Sequence, residues 1–92
     1  MKIQVRMFGR FKQQFGDLRE VEVPDGVTPL YVLKEVVATN SENYTAIFDD
    51  QDRIRNHLIL MVNRKRIPPS DYLSLFLHDT DEVALLPPVA GG

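Results

Sequence analysis

The sequence predicts an α+β fold in which one main helix covers one face of a sheet. Three observations carry that expectation. Segments 2–7, 18–23, 58–62 and 82–86 show strand patterning, either alternating or continuously apolar. One stretch, opening at Thr28-Pro29, repeats apolar residues at helical spacing. The chain has 92 residues, enough for one modest core and too few for two.

In chain order, Ile3, Val5 and Met7 alternate with Lys2, Gln4 and Arg6, the period of a half-buried strand. Phe8 has the parity of the polar face, so it either sits on the outer side of the sheet or rolls over its edge onto the core. Phe11 and Phe15 lie four apart in a polar connection, which allows a helical turn packing both inward. Val21 and Val23 then alternate with Glu20 and Glu22, so the second strand is expected to face its valines inward. Pro24-Asp25-Gly26 is a turn: proline presets φ and glycine accepts a positive one. At Thr28-Pro29, threonine is the N-cap, and proline occupies the first helical position, where its missing N–H costs nothing. Leu30, Leu33, Val36 and Val37 form the apolar stripe, and Thr39-Asn40-Ser41 should end the helix.

Segment 41–56 is weakly patterned, with an apolar island at Ala46-Ile47-Phe48 and an acidic cluster at Asp49-Asp50-Gln51-Asp52. That cluster lacks the glycine and the bidentate glutamate of a calcium loop and reads as solvated. Five apolar residues, 58–62, read as a strand buried on both sides. Asn63-Arg64-Lys65-Arg66 is a basic turn, either the wet tip of a hairpin or a dock for an acidic partner. A short strand ends at Ile67-Pro68-Pro69, and Tyr72, Leu73, Leu75 and Phe76 are expected to pack in a short helical or irregular piece. Leu77-His78-Asp79-Thr80-Asp81 turns the chain into the last strand, Glu82–Leu86.

Several function classes drop out. A net charge of −2 argues against a nucleic-acid binder. No apolar run approaches the roughly 20 residues of a membrane span, and cytoplasm is the default compartment. Zero cysteines exclude disulfides, thiolate metal sites and a cysteine nucleophile. His57 and His78 share no metal or triad spacing, and Gly9 and Gly16 are too far apart for a phosphate-cradling loop. No side-chain catalytic constellation, metal site or bound cofactor is expected.

The end of the chain is the informative part. Pro87-Pro88 cannot donate to a sheet ladder, so the sheet must release the chain there. The chain is then expected to divide into a folded domain, 1–86, and a flexible Gly-Gly tail, 87–92, reaching at most about 20 Å. Pro87, Pro88, Val89 and Ala90 lead to Gly91 and Gly92, which lack Cβ and can enter a slot too narrow for a side chain. With no cysteine present, a covalent cargo would have to ride on the Gly92 carboxylate.

Residues 87–92, the preceding Asp81-Glu82-Val83, the opening strand 2–8 and the Val62-Asn63 pair resemble the MoaD/ThiS group of ubiquitin-like sulfur carriers, most closely the MoaD type. The resemblance implies a β-grasp, or ubiquitin-like, fold with a mixed sheet whose first and last strands are adjacent and parallel. It implies that a ubiquitin-activating-type adenylyltransferase uses ATP to adenylate Gly92, which then becomes a thiocarboxylate. In the MoaD type the tail enters the large subunit of molybdopterin synthase, and its sulfur builds the molybdenum cofactor's dithiolene. The chain is then a non-catalytic co-substrate, expected to be a monomer when free. Gly91 permits threading, and the partner contacts fall on Phe8, Leu86 and the tail, with Ile59 and Met61 either joining them or covered by segment 41–56. Three alternatives stay open: a protein modifier joined through Gly92 to lysines, a carrier for cysteine, thiamine or tRNA thiolation, and a plain interaction domain whose Gly-Gly end is accidental. The chain departs from the family at Thr80 and Arg64, where turn glycines are common. A positive φ there would cost of order 1 kcal/mol.

Overall fold

A computed structural model of the chain describes residues 1–38 and 41–87. Strand β1 (Lys2–Met7) leads into helix α1 (Arg10–Phe15) and strand β2 (Leu18–Glu22). Helix α2 (Pro29–Val37) and helix α3 (Ser41–Ile47) follow, then β3 (Ile59–Val62), β4 (Lys65–Arg66), a 3₁₀ turn (Pro69–Asp71) and β5 (Glu82–Leu86). The five strands form one sheet in the order β2-β1-β5-β3-β4. Strand β1 pairs antiparallel with β2 and parallel with β5, while β3 pairs antiparallel with β5 and β4. The mixed sheet and the parallel first-to-last pairing agree with the expectation.

Alternation decides the two faces. Ile3, Val5, Met7, Leu60, Val83 and Leu85 are buried on one face, where they meet Val32, Leu33 and Val37 of α2. Thr28 caps α2 by accepting a hydrogen bond from Tyr31 N at 3.3 Å. Val32, not counted in the expected stripe, is fully buried, whereas Leu30 and Val36 are only partly covered. Phe11 and Phe15 of α1 both enter the core, as their spacing predicts.

Three expectations are corrected. Segment 41–56 contains α3, whose Ile47 joins the core together with Phe48. Tyr44 stacks 4.8 Å from Phe48, and Lys34 of α2 sits 5.7 Å from the same ring. Strand β3 is buried on one side only: Leu60 and Val62 are covered, while Ile59 and Met61 are half-buried. Of the four residues assigned to packing in 70–76, Leu73 and Phe76 are exposed and only Tyr72 and Leu75 lean on the core. The acidic cluster is the solvated loop expected of it, and within it Asp49 Oδ1 accepts from Gln51 N at 2.9 Å and Arg53 N at 3.0 Å.

Arg64 and Thr80 both adopt positive φ, 67° and 70°. The chain therefore bears the cost their side chains imply, of order 1 kcal/mol each. Thr80 is held by its N–H, which donates to Lys2 O at 2.8 Å and ties the turn before β5 to the start of β1.

Candidate functional site at the end of the central strand

Strand β5 ends at Leu86 in the middle of the sheet, with β1 on one side and β3 on the other. Its outward residues are Glu82, Ala84 and Leu86, opposite in parity to the buried Val83 and Leu85. Register then assembles an outer patch. Ile59 pairs with Leu86, and Met61 and Arg6 flank Ala84 from either side. Phe8 N donates to Leu85 O at 3.3 Å, which carries the β1–β5 ladder past the end of β1. The Phe8 side chain stays on the outer side, 38% exposed, and so does not roll onto the core.

Phe8, Met61 and Ala84 line a shallow cavity of about 210 Å³ together with Arg6, Arg64 and Glu82. Glu82 is shared by two cations: Arg6 Nε lies 3.5 Å from Oε2 and Arg64 Nε 3.9 Å from Oε1. Arg6 Nε is buried and has no hydrogen-bond partner among the described residues. The patch therefore has an apolar end beside the root of the tail and a net cationic end toward the turn at Arg64. Ile59, Met61, Leu86 and Phe8 lie outside the buried cluster under α2, and α3 packs against α2.

Pro87 is half-buried and rests against Gly9. A methyl carbon on Gly9 would lie 2.6 Å from Pro87 Cγ and 3.3 Å from Cδ. Pro88, Val89, Ala90, Gly91 and Gly92 lie outside the described residues. Sequence reading singled out Phe8, Ile59, Met61 and Leu86 but missed Arg6, Glu82 and Gly9 as members of this region. Parity on β1 was the available signal for Arg6. For Gly9 there was none, since its neighbour comes from the far end of the chain.

Among the described residues, no group of three or more His, Cys, Asp or Glu is placed to hold a metal ion. None of the helices there is long and apolar enough to cross a membrane. His57 and His78 are exposed. A second cavity, about 350 Å³ between Leu30, Ile54, Tyr72 and Leu73, shares no residue with the patch.

The ThiS family model matches residues 5–92, nearly the whole chain and the tail with it. The chain belongs to the ThiS family. As a ThiS-family protein it is a β-grasp chain of the ubiquitin-like sulfur-carrier kind, a type that is generally not catalytic. No curated protein sequence matches it significantly. Among solved structures it resembles SAMP1, the small archaeal modifier protein 1, of Haloferax volcanii, at 22% identity and TM-score 0.84 over 100% of both chains. It also resembles a putative molybdopterin converting factor subunit 1 of Pyrococcus furiosus, at 26% identity and TM-score 0.71, over 97% of this chain and 99% of that one. A third likeness is to the complex of subunits 1 and 2 of molybdopterin-converting factor from Helicobacter pylori, at 23% identity, TM-score 0.62 and full coverage of both chains. At 22–23% identity the first and third establish the fold alone.

Proposed function

We propose that this chain is a sulfur carrier whose Gly92 carboxylate is adenylated and converted to a thiocarboxylate. The carrying observation is a family match that runs through residue 92 on a chain without cysteine. A free carboxylate is a poor electrophile. Its oxygen attacks the α-phosphorus of ATP on an activating enzyme, pyrophosphate leaves, and a sulfur nucleophile then displaces AMP from the carbonyl carbon. Gly91 leaves room for the terminus to thread into the enzyme. The chain binds no cofactor of its own; ATP is consumed by its partner, a ubiquitin-activating-type adenylyltransferase.

The patch of Phe8, Ile59, Met61 and Leu86, continued by residues 87–90, docks that enzyme and the sulfur acceptor's protein. Insertion of the tail makes sulfur delivery positional rather than bimolecular. The acceptor we favour is the pterin precursor of molybdopterin, with this chain as small subunit beside a large synthase subunit. The likeness to the Pyrococcus subunit 1 supports that choice, as does the paired arrangement in the Helicobacter complex.

One observation favours a second reading. The SAMP1 likeness extends over the full length of both chains, which supports conjugation of Gly92 to a lysine amine. Intact mass spectrometry separates the two after incubation with the activating enzyme, ATP and a sulfur donor. A mass gain of one oxygen-to-sulfur exchange supports the carrier, and a ladder of larger lysine conjugates supports the modifier. Neither product from the wild type, or either from a chain lacking Gly91-Gly92, would sink both.

A further inference from the structure

The tail proposed above can work only if its root points the right way, and the structure ties that root to one distant residue. Pro87 follows directly on β5, and its ring faces the bare Cα of Gly9. A side-chain carbon there would meet three ring atoms, at 2.6 Å (Cγ), 3.3 Å (Cδ) and 3.8 Å (Cβ). Gly9 itself has φ 60° and ψ −135°, the mirror image of extended backbone and glycine territory. It is held on both sides. Phe8 N is bonded to Leu85 O, and Gly9 O accepts from Lys12 N at 3.1 Å in the first turn of α1. That helix is anchored by Phe11 and Phe15 in the core.

We infer that Gly9 is a positioning residue for the tail: it is the rigid seat on which Pro87 rests, and the seat sets the heading of the backbone as it leaves the sheet. The choice of proline matters. Its ring contains the backbone N and Cα and fixes φ near −65°, so a contact that holds the ring holds the main chain. An ordinary side chain at 87 would swivel about χ1 and transmit little. Misplacing a reacting group by about 1 Å can cost on the order of 100-fold in rate, and Pro87 is where the described body hands over to the tail.

The inference rests on the carrier reading, and a double-mutant cycle separates them. Gly9 meets two demands, a positive φ and an absent Cβ. The first does not depend on residue 87, whereas the second disappears once the ring is gone. ATP–pyrophosphate exchange by the source organism's ubiquitin-activating-type adenylyltransferase is measured against carrier concentration for wild type, Gly9→Ala, Pro87→Gly and the double variant. Thermal melting corrects each for the folded fraction. Gly9→Ala and Pro87→Gly should each lower kcat/KM by roughly 10- to 100-fold. In the Pro87→Gly background, Gly9→Ala should lower it no further, while its melting temperature still falls because the φ strain remains. An equal loss with Pro or Gly at 87 overturns the inference, as does wild-type exchange by Pro87→Gly. Should Gly9→Ala fail to fold, Pro87→Gly decides through its kinetic split, since it lies beyond the last strand: a fall in kcat supports positioning, and a rise in KM alone is a lost docking contact and overturns it. Wild-type exchange that is absent, or that survives removal of Gly91-Gly92, overturns the carrier reading and the positioning role with it.

Discussion

Asn63 and Glu82 hold each other by two hydrogen bonds: Asn63 N donates to Glu82 O at 2.8 Å, and Glu82 N donates to Asn63 Oδ1 at 2.9 Å. Asn63 Nδ2 also reaches Asp81 Oδ1 at 3.0 Å, and Asp81 Oδ2 accepts from His78 N at 2.8 Å. The asparagine stands at φ 50°, a conformation it tolerates better than most residues. One side chain therefore fastens the β3–β4 turn to the entry of β5. Asn63→Ala should cost about 1–2 kcal/mol, the sum of two exposed hydrogen bonds and a less suitable turn residue. Asn63→Asp keeps one acceptor but brings a second carboxylate to Asp81, and should be no better at neutral pH. Urea denaturation checks both; wild-type stability in Asn63→Ala would contradict this role.

The outer patch and the core should respond differently to truncation. Phe8→Ala removes a partly exposed ring and should cost about 1–2 kcal/mol of stability, against about 3–5 kcal/mol for the fully buried Phe11→Ala. Met61→Ala should leave the fold nearly intact. If the patch docks partners, Phe8→Ala and Met61→Ala each raise the carrier's KM for its activating enzyme about tenfold. Unchanged KM in both would remove the patch from the interface.

Among the described residues, the buried hydrophobic set runs from Ile3 to Leu85 and ends before Pro87. Deleting Gly91-Gly92 should therefore leave the melting temperature where it is while abolishing adenylation. Blocking the terminal carboxyl as an amide should do the same. A fall in melting temperature on deletion would mean that the tail belongs to the body.

Two groups near α3 should respond to pH in opposite directions. The N–H of Arg53 donates to Asp49 and holds its carboxyl below the ordinary 3.8; the N–H of Gln51 and the Arg53 charge help, and partial desolvation opposes them. A depressed folded value means its contribution is present above about pH 4 and is lost as pH falls through the folded pKa. Tyr44 is raised above 10.0, first by its hydrogen bond to Asp52 and then by burial and the acidic neighbours. That contribution is present below pH 10.0 and is lost as pH rises through the higher folded value. Asp49→Asn should flatten the acid limb of a melting-temperature profile, and Tyr44→Phe the alkaline limb. Profiles parallel to wild type would assign the limits elsewhere.

Much of this architecture is written in local pattern. Ile3, Val5 and Met7 betray β1 by parity, and Thr28-Pro29 marks the start of α2 through cap and proline chemistry. Segment 41–56 hid its helix because Ser41, Asn43 and Thr45 are poor helix formers and its inward face is short, carried by Tyr44, Ala46, Ile47 and Phe48. The run 58–62 read as buried on both sides because composition does not count helices. Here α2 and α3 lie over one face, leaving Ile59 and Met61 half-covered on the other. Leu73 and Phe76 misled for the opposite reason, since hydrophobic residues are often exposed in small domains. The parallel β1–β5 pairing came from family resemblance, and the seat of Pro87 on Gly9 from neither pattern nor resemblance, because it joins opposite ends of the chain.

Strand β5 is last in chain order yet central in the sheet. During synthesis, β1 and β3 must wait with raw edges until residues 82–86 emerge to lie between them. Long-range closures of this kind are slow to form. A nascent chain stopped short of residue 82 cannot complete its body, so any copy that has folded has already made the segment from which residue 87 departs. Maturation of the scaffold and readiness of its exit strand thus become a single event.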